Sequence, residues 1–125
     1  MTMLRPIQLL IAEPHEMVRL SLDSLISVYD NITKVGEARN GSETVRLCDQ
    51  LRPHVVILGQ HMADMDGISV ARQILKSPNP PYLIMLDGLM GEEHERAALD
   101  AGINVYFTVD TPIADVIDAI YAAAR

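Results

Sequence analysis

The chain has 125 residues, a length that suits one domain with a sizeable core. Its formal net charge of −7 and its ten scattered basic residues argue against a nucleic-acid surface, because phosphate contacts need clustered Lys and Arg. A single cysteine excludes an internal disulfide framework, and no apolar stretch suits a membrane span or a leader peptide. We therefore expect one cytoplasmic domain over residues 1–125, without membrane contact.

Short apolar runs alternate with segments of helical periodicity along the whole chain. In chain order they predict a strand at Ile7–Ile11, a helix at His15–Ser27, a strand at Ile32–Glu37, a helix from Asn40 to Leu51, a strand at Val55–Leu58, a helix around Ile68–Leu75, a strand at Tyr82–Leu86, a helix at Glu92–Ala101, a strand at Val105–Thr108 and a helix at Pro112–Ala124. Five strand–helix repeats indicate a parallel sheet with helices on both faces.

Several helix ends carry recognisable signals. Asn40 predicts the cap of the second helix, and Pro53 closes it. For the last helix, Thr111 is expected at the cap and Pro112 at the first helical position. The apolar face of the second helix predicts core positions at Val45, Cys48 and Leu51.

Five sequence strings together resemble one known family. In chain order they are IAEPHEMVR, VGEARNG, RPHVVILGQHMADMDGI, DAGINVYF and DTP. Their order and spacing are similar to those of bacterial response-regulator receiver domains, in the subfamily usually fused to a LuxR/NarL-type helix-turn-helix. The resemblance implies an α/β fold of the flavodoxin-like, CheY-like class, a doubly wound parallel sheet in the order 2-1-3-4-5. In such folds the site lies beyond the carboxyl ends of the strands.

The resemblance also implies which residues occupy the phosphorylation site. Active family members use two acids that bind Mg²⁺, an aspartate on strand three that accepts the phosphoryl group, a hydroxyl on strand four and a lysine on strand five. The matching residues here are Glu13, Pro14, Gly59, Asp87 and Val109. Of these five residues only Glu13 keeps the chemical group of its position, a carboxylate, and its side chain is longer than that of aspartate. We therefore expect a vestigial site with no catalytic residue, no Mg²⁺ cofactor and no enzymatic activity.

The two remaining acids of that site allow a second interpretation. Glu13 and Asp87 should face each other across the space left by Gly59, where they would repel, shift one pKa upward or recruit a cation. His15 and His61 could add nitrogen ligands. Because no tight metal motif such as HExxH supports this, we expect instead that both acids are hydrated or hydrogen-bonded to nearby backbone.

Other residues near the site can be explained by structural roles as well as by functional ones. Tyr106 matches the family's aromatic switch position, although a packed ring with a hydroxyl in water would explain it equally. Asp64 and Asp66 are each imaginable as displaced phosphoacceptors. A turn and helix cap explain Asp66, Asp64 fills a loop position, and we expect both to be structural or solvated. His54 and His94 are expected to be exposed and without functional partners.

Three loop methionines, Met62, Met65 and Met90, either line a partner surface or reflect loop mobility alone.

Three functions remain open from the sequence. The first is a phosphorylation-independent receiver that acts by protein contact, as a homodimer formed through helices His15–Ser27 and Pro112–Ala124, within a transcription regulator. Any DNA contact would then need a further domain after Arg125. The second is a small-molecule sensor that uses the vacated pocket around Gly59, Met62, Asp87 and Val109. The third is residual phosphotransfer with Mg²⁺ and an unorthodox acceptor.

Overall fold

The computed structural model describes residues 5–88 and 92–124. Strands and helices alternate within this part of the chain, as the sequence predicts. Their bounds are β1 Ile7–Ala12, α1 Glu16–Ile26, β2 Ile32–Ala38, α2 Gly41–Leu51, β3 Val55–Gly59, α3 Gly67–Ile74, β4 Tyr82–Asp87, α4 Glu92–Asp100, β5 Val105–Thr108 and α5 Ile113–Ala123. Among these residues, no helix is both long and apolar enough to cross a membrane.

The strands form one parallel sheet in the order β2-β1-β3-β4-β5. This order confirms the fold class implied by the resemblance. The first four strands each extend one residue beyond their predicted ends, to Ala12, Ala38, Gly59 and Asp87. The ladder continues there because backbone pairing does not depend on an apolar side chain: Gly59 pairs with Leu86, and Asp87 pairs with Thr108. Gly59 and Asp87 therefore end neighbouring strands at one edge.

The core lies on both faces of the sheet, because alternate strand residues point to opposite sides. One face contributes the buried strand residues Leu10, Val56, Leu58, Leu83 and Met85, which pack with Val70, Ala71 and Ile74 of α3. The other contributes Leu9, Ile11, Val55, Ile57 and Ile84, which pack with Leu22 and Ile26 of α1 and with Val116, Ile117 and Ile120 of α5. Burial of each large aliphatic side chain contributes about 1.5–3 kcal/mol to folding.

Carboxylate and amide side chains cap two of the helices. Asn40 Oδ1 accepts a hydrogen bond from Glu43 N at 2.9 Å, which confirms the predicted cap of α2. Asp66 Oδ1 accepts from Ser69 N at 2.7 Å at the start of α3. Asp64 also binds the first turn of α2, because its carboxylate accepts hydrogen bonds from the backbone of Gly41 at 2.7 Å and of Ser42 at 2.9 Å.

Those bonds to Asp64, together with one from the Ser42 hydroxyl, hold the pKa of its carboxyl well below the ordinary range. Both aspartates therefore stabilise helix N-termini, as expected for Asp66, whereas the sequence assigned Asp64 only to a loop.

The predicted cap of α5 is off by one residue. Pro112, rather than Thr111, is the last residue before the helix, and no side chain caps this terminus. The reason is a turn in which Thr111 N donates to the carbonyl of Thr108 at 3.0 Å, so that Pro112 O accepts the first helical bond, from Asp115 N. Pro112 has no backbone N–H to donate, which suits both the cap position and the first position of a helix.

The core face of α2 also differs in part from the prediction. Thr44 is fully buried, whereas Val45, Cys48 and Leu51 are half-buried. A polar residue is tolerated there because the Thr44 hydroxyl donates to the carbonyl of Asn40 at 2.7 Å. Cys48 packs against the core as expected, and burial raises the pKa of its thiol to about 12.

The cap at Asn40 is testable by substitution. We expect Asn40→Ala to lower the free energy of unfolding by about 1 kcal/mol, because Glu43 N loses its acceptor. Asn79→Ala, the same change at an exposed loop position, should leave the free energy of unfolding nearly unchanged. Urea unfolding followed by circular dichroism measures both. Equal effects of the two substitutions would contradict the capping role.

Candidate functional site

The side chain of Glu13 lies against Gly59 at the carboxyl ends of β1 and β3. The residue is only 7% exposed. A Cβ built on Gly59 would collide with Glu13 Oε2, and Glu13 Cδ would lie 3.3 Å from it. The backbone of Glu13 is held on both sides, because its N–H donates to Ala38 O at 3.0 Å and its carbonyl accepts from Arg19 Nη1 at 2.7 Å. The Glu13 carboxylate thus takes the space in which a side chain at position 59 would begin.

The Glu13 carboxylate has its own hydrogen-bonding partner in the loop after β1. His15 contacts Glu13 Oε1 twice, through Nδ1 at 2.6 Å and through its backbone N–H at 3.2 Å. The expected backbone hydrogen bond is therefore present, and the imidazole is an addition to it. Pro14, between the two, contributes no side-chain oxygen and is half-buried.

A buried arginine, Arg19, lies beside the site and was not predicted from the sequence. Arg19 is 4% exposed, and its Nε lies 3.4 Å from Glu37 Oε2 without a hydrogen bond. Lys34 also pairs with Glu37, which raises the pKa of Lys34 and lowers that of Glu37. The missed signal was spacing: Arg19 stands three residues before Leu22 and seven before Ile26, on the buried face of α1.

Asp87 ends β4 as a buried carboxylate that is 1% exposed. Tyr106 donates its hydroxyl to Asp87 Oδ2 at 2.8 Å. His94 Nδ1 lies 3.3 Å from the same oxygen, and His61 Nε2 lies 3.5 Å from Oδ1. Three elements therefore converge on this carboxylate: β5, α4 and the loop after β3.

One expectation about these partners was wrong, and the partner of Tyr106 was not foreseen. The Tyr106 hydroxyl donates to Asp87, because Met85 pairs with Tyr106 and Asp87 with Thr108, which makes Asp87 a diagonal neighbour of Tyr106. His94 has a partner because the first turn of α4 lies near the end of β4. His54 is exposed as expected, and its Nδ1 accepts from Gln8 N at 2.9 Å.

The two acids of the site have separate partners. Glu13 contacts His15, whereas Asp87 contacts His61, His94 and Tyr106. Within residues 5–88 and 92–124, no three His, Cys, Asp or Glu side chains are placed to hold a metal ion. The geometry therefore shows two buried carboxylates, each satisfied by neighbouring side chains.

The remaining predicted residues are split between core and surface. Val109 is 60% exposed, and its N–H donates to Asp87 O at 3.1 Å. Met62 is buried in the core, and the half-buried Met65 packs against the core. Met90 lies outside the described residues.

The hydrogen bond between Tyr106 and Asp87 has a measurable consequence at high pH. The pKa of Tyr106 is raised to about 12. Burial of the phenol is the larger cause, and the hydrogen bond to Asp87 is the next. Because the folded state favours the neutral phenol, this stabilisation is complete below the ordinary pKa of about 10 and is lost as the pH rises toward 12.

Ultraviolet absorbance of the four tyrosines should therefore show a last ionisation step near pH 12 that Tyr106→Phe abolishes. Asp87→Asn should lower the pKa of Tyr106 without restoring its ordinary value, since burial remains. Tyr29→Phe is the control and should leave the last step in place. A last step that survives in Tyr106→Phe would contradict the assignment.

Comparison with known proteins agrees with this fold. The family model described as "Response regulator receiver domain" matches residues 9–121. The chain is 34% identical to the transcriptional regulatory protein LiaR of Bacillus subtilis, over 95% of this chain and 56% of LiaR. It is 32% identical to the response regulator protein VraR of Staphylococcus aureus, over 95% of this chain and 57% of VraR. The chain thus spans little more than half the length of these relatives.

Solved structures share the same architecture. The receiver domain of the response regulator NarL from Mycobacterium tuberculosis superposes with a TM-score of 0.91 at 21% identity, over 96% of this chain and 97% of that one. The response regulator ChrA of a heme-sensing two-component system superposes with a TM-score of 0.80 at 29% identity, over 97% of this chain and 58% of ChrA. By its family match and its relatives, the chain belongs to the response-regulator receiver domains.

Proposed function

We propose that residues 1–125 form one cytoplasmic receiver domain that signals by protein contact and neither accepts a phosphoryl group at the end of β3 nor acts as an enzyme. The observation that carries this proposal is the pair Glu13 and Gly59. The strand that would present the acceptor ends in glycine, and a buried glutamate takes the adjoining space.

The chemistry of phosphotransfer supports the same conclusion. An acyl phosphate needs a carboxylate on strand three, and glycine has none. By the family resemblance, Pro14 replaces a Mg²⁺ ligand and Val109 replaces the lysine cation. Asp87 replaces a hydroxyl donor with a carboxylate that would repel a phosphoryl group. One such change could be tolerated by chance, but the loss of four groups together indicates that this transfer has been abandoned.

The alternative of a small-molecule sensor beside Gly59 gains no support from the geometry. The space expected to be vacant there holds the Glu13 carboxylate, and Met62 is packed into the core. Asp87 is covered by Tyr106 and two histidines. A ligand would have to displace these contacts before it could bind.

Self-association is the protein contact that we propose. Between α1 and α5 lies an apolar groove of about 450 Å³. Beside or within it, Met17 is 79% exposed, Leu25 46% and Val109 60%. Large exposed apolar side chains in one patch are typical of a binding surface. A second copy of this chain, related by a two-fold axis, would cover the patch with the same helices.

The relatives support a role in transcription regulation. LiaR, which is named as a transcriptional regulatory protein, is about one third identical to this chain and extends well beyond it. We propose that the domain is the regulatory and dimerising half of such a regulator.

The absence of phosphotransfer is tested by intact-mass spectrometry after incubation with phosphoramidate and Mg²⁺. We expect no gain of a phosphoryl group by this chain, whereas a receiver domain with an aspartate on strand three, treated in parallel, should gain one. A gain would overturn the proposal. Its disappearance in Glu13→Gln or in Asp87→Asn would then identify the unorthodox acceptor.

Self-association is tested by light scattering over a concentration series. We expect a dimer that Leu25→Glu weakens at least about tenfold, because a charge would enter an apolar interface. Leu99→Glu is the matched control, since Leu99 lies on α4 with nearly the same exposure, 44% against 46%. Addition of Mg²⁺ and phosphoramidate should leave the dimer unchanged. A wild-type monomer, or equal effects of both substitutions, would contradict the proposed interface.

A further inference from the structure

A second groove lies at the amino-terminal ends of β3 and β4, whereas Gly59 and Asp87 lie at the carboxyl ends of the same strands. It has a volume of about 760 Å³ and is bounded by the last turns of α2 and α3 and by the segments that lead into β3 and β4. We propose that this groove, named here the proline groove, binds a small organic anion with an apolar body. Its lining residues used below are Arg46, Cys48, Arg52, Pro53, His54, Ile74, Lys76, Pro78, Pro80 and Pro81.

One part of the proline groove is apolar. Cys48 packs against the core and Ile74 belongs to it, and the pKa of the Cys48 thiol is raised to about 12, which keeps it neutral and apolar in character. Four prolines line the same groove, and each ring restricts its own backbone angle φ. A preformed wall reduces the ordering cost that a bound molecule would otherwise have to offset.

The charges of the proline groove differ in sign from those of the whole chain. Arg46, Arg52 and Lys76 line it with a single acid, Asp49, although the chain carries a net charge of −7. Arg46 also lies 3.9 Å from the carboxylate of Glu43, so Arg52 and Lys76 are the cations assigned to a ligand. The backbone of Arg52 has a left-handed φ of 49°, and its N–H donates to Cys48 O at 3.0 Å, which places this residue at the end of α2.

His54 adds a donor whose tautomer is determined by its neighbour. Its Nδ1 accepts a hydrogen bond from the backbone N–H of Gln8 at 2.9 Å, so the neutral ring carries its proton on Nε2. The backbone of His54 is bound on both sides, since its N–H donates to Gln8 O and its carbonyl accepts from Tyr82 N, each at 2.9 Å. This histidine is thus a firmly positioned N–H donor in the lining of the groove.

The size and chemistry of the proline groove define the ligand class. Its volume of about 760 Å³ lies within the usual range for sites that bind small organic molecules. Guanidinium and ammonium groups at Arg52 and Lys76 suit a carboxylate, sulfonate or phosphate. The proline rings and Ile74 suit a flat apolar body. Neither part of the groove alone would select such a molecule. This site is independent of the proposed dimer surface, which lies between α1 and α5.

The test uses the full chain and the probe 1-anilinonaphthalene-8-sulfonate, which combines a sulfonate with an apolar ring system. Binding is followed by fluorescence and by amide chemical shifts. We expect shifts in residues 45–54 and 73–82. The double substitution Arg52→Gln with Lys76→Gln should weaken binding about tenfold, because two charged contacts are lost. Arg72→Gln with Arg96→Gln, which removes two exposed cations outside the groove, should leave binding unchanged.

Two further probes separate the parts of the ligand. N-phenyl-1-naphthylamine has the apolar body without the sulfonate, and inorganic phosphate has the charge without the body. Each should bind about tenfold more weakly than the complete probe. Equal binding of either one, or amide shifts confined to the α1–α5 groove, would overturn the proposal. If the double variant fails to fold, the wild-type shift map and these two probes still decide the outcome.

Discussion

Burial of the parallel sheet on both faces determines where every other group of this domain lies. Strand residues such as Leu9 and Leu10 point to opposite sides, and both are fully buried. Polar groups can gather at the carboxyl ends and at the amino ends of the strands, because side chains there need not enter the core. The carboxyl edge carries Glu13, Gly59 and Asp87, and the opposite edge carries the proline groove.

The carboxyl edge shows how two buried acids are accommodated at the ends of neighbouring strands. A buried carboxylate is costly unless it is hydrogen-bonded or paired. Glu13 meets this requirement through His15, and Asp87 meets it through Tyr106 with His61 and His94 nearby. Each acid therefore has its own partners within this edge.

The sequence predicted the strands and helices almost completely, because apolar periodicity reports directly on burial. It also predicted Asn40 as a helix cap, since capping chemistry is local, whereas β3 runs one residue past its predicted end, to Gly59. The errors share another cause. The position of Pro112 depends on a turn made by Thr108, and the burial of Thr44 depends on its hydrogen bond to a backbone carbonyl. Such hydrogen bonds cannot be inferred from the pattern of apolar and polar residues in the sequence.

By itself the sequence determined the fold class, the family and the residue types at the site, because these follow from pattern, spacing and side-chain chemistry. Only the tertiary structure decided which groups meet. It placed Glu13 over Gly59, brought the Tyr106 hydroxyl to Asp87 and buried Arg19 beside the site. It also assembled the proline groove from segments that follow two different helices. These contacts join residues far apart in the chain, and only the packing of helices against the sheet sets the distances between them.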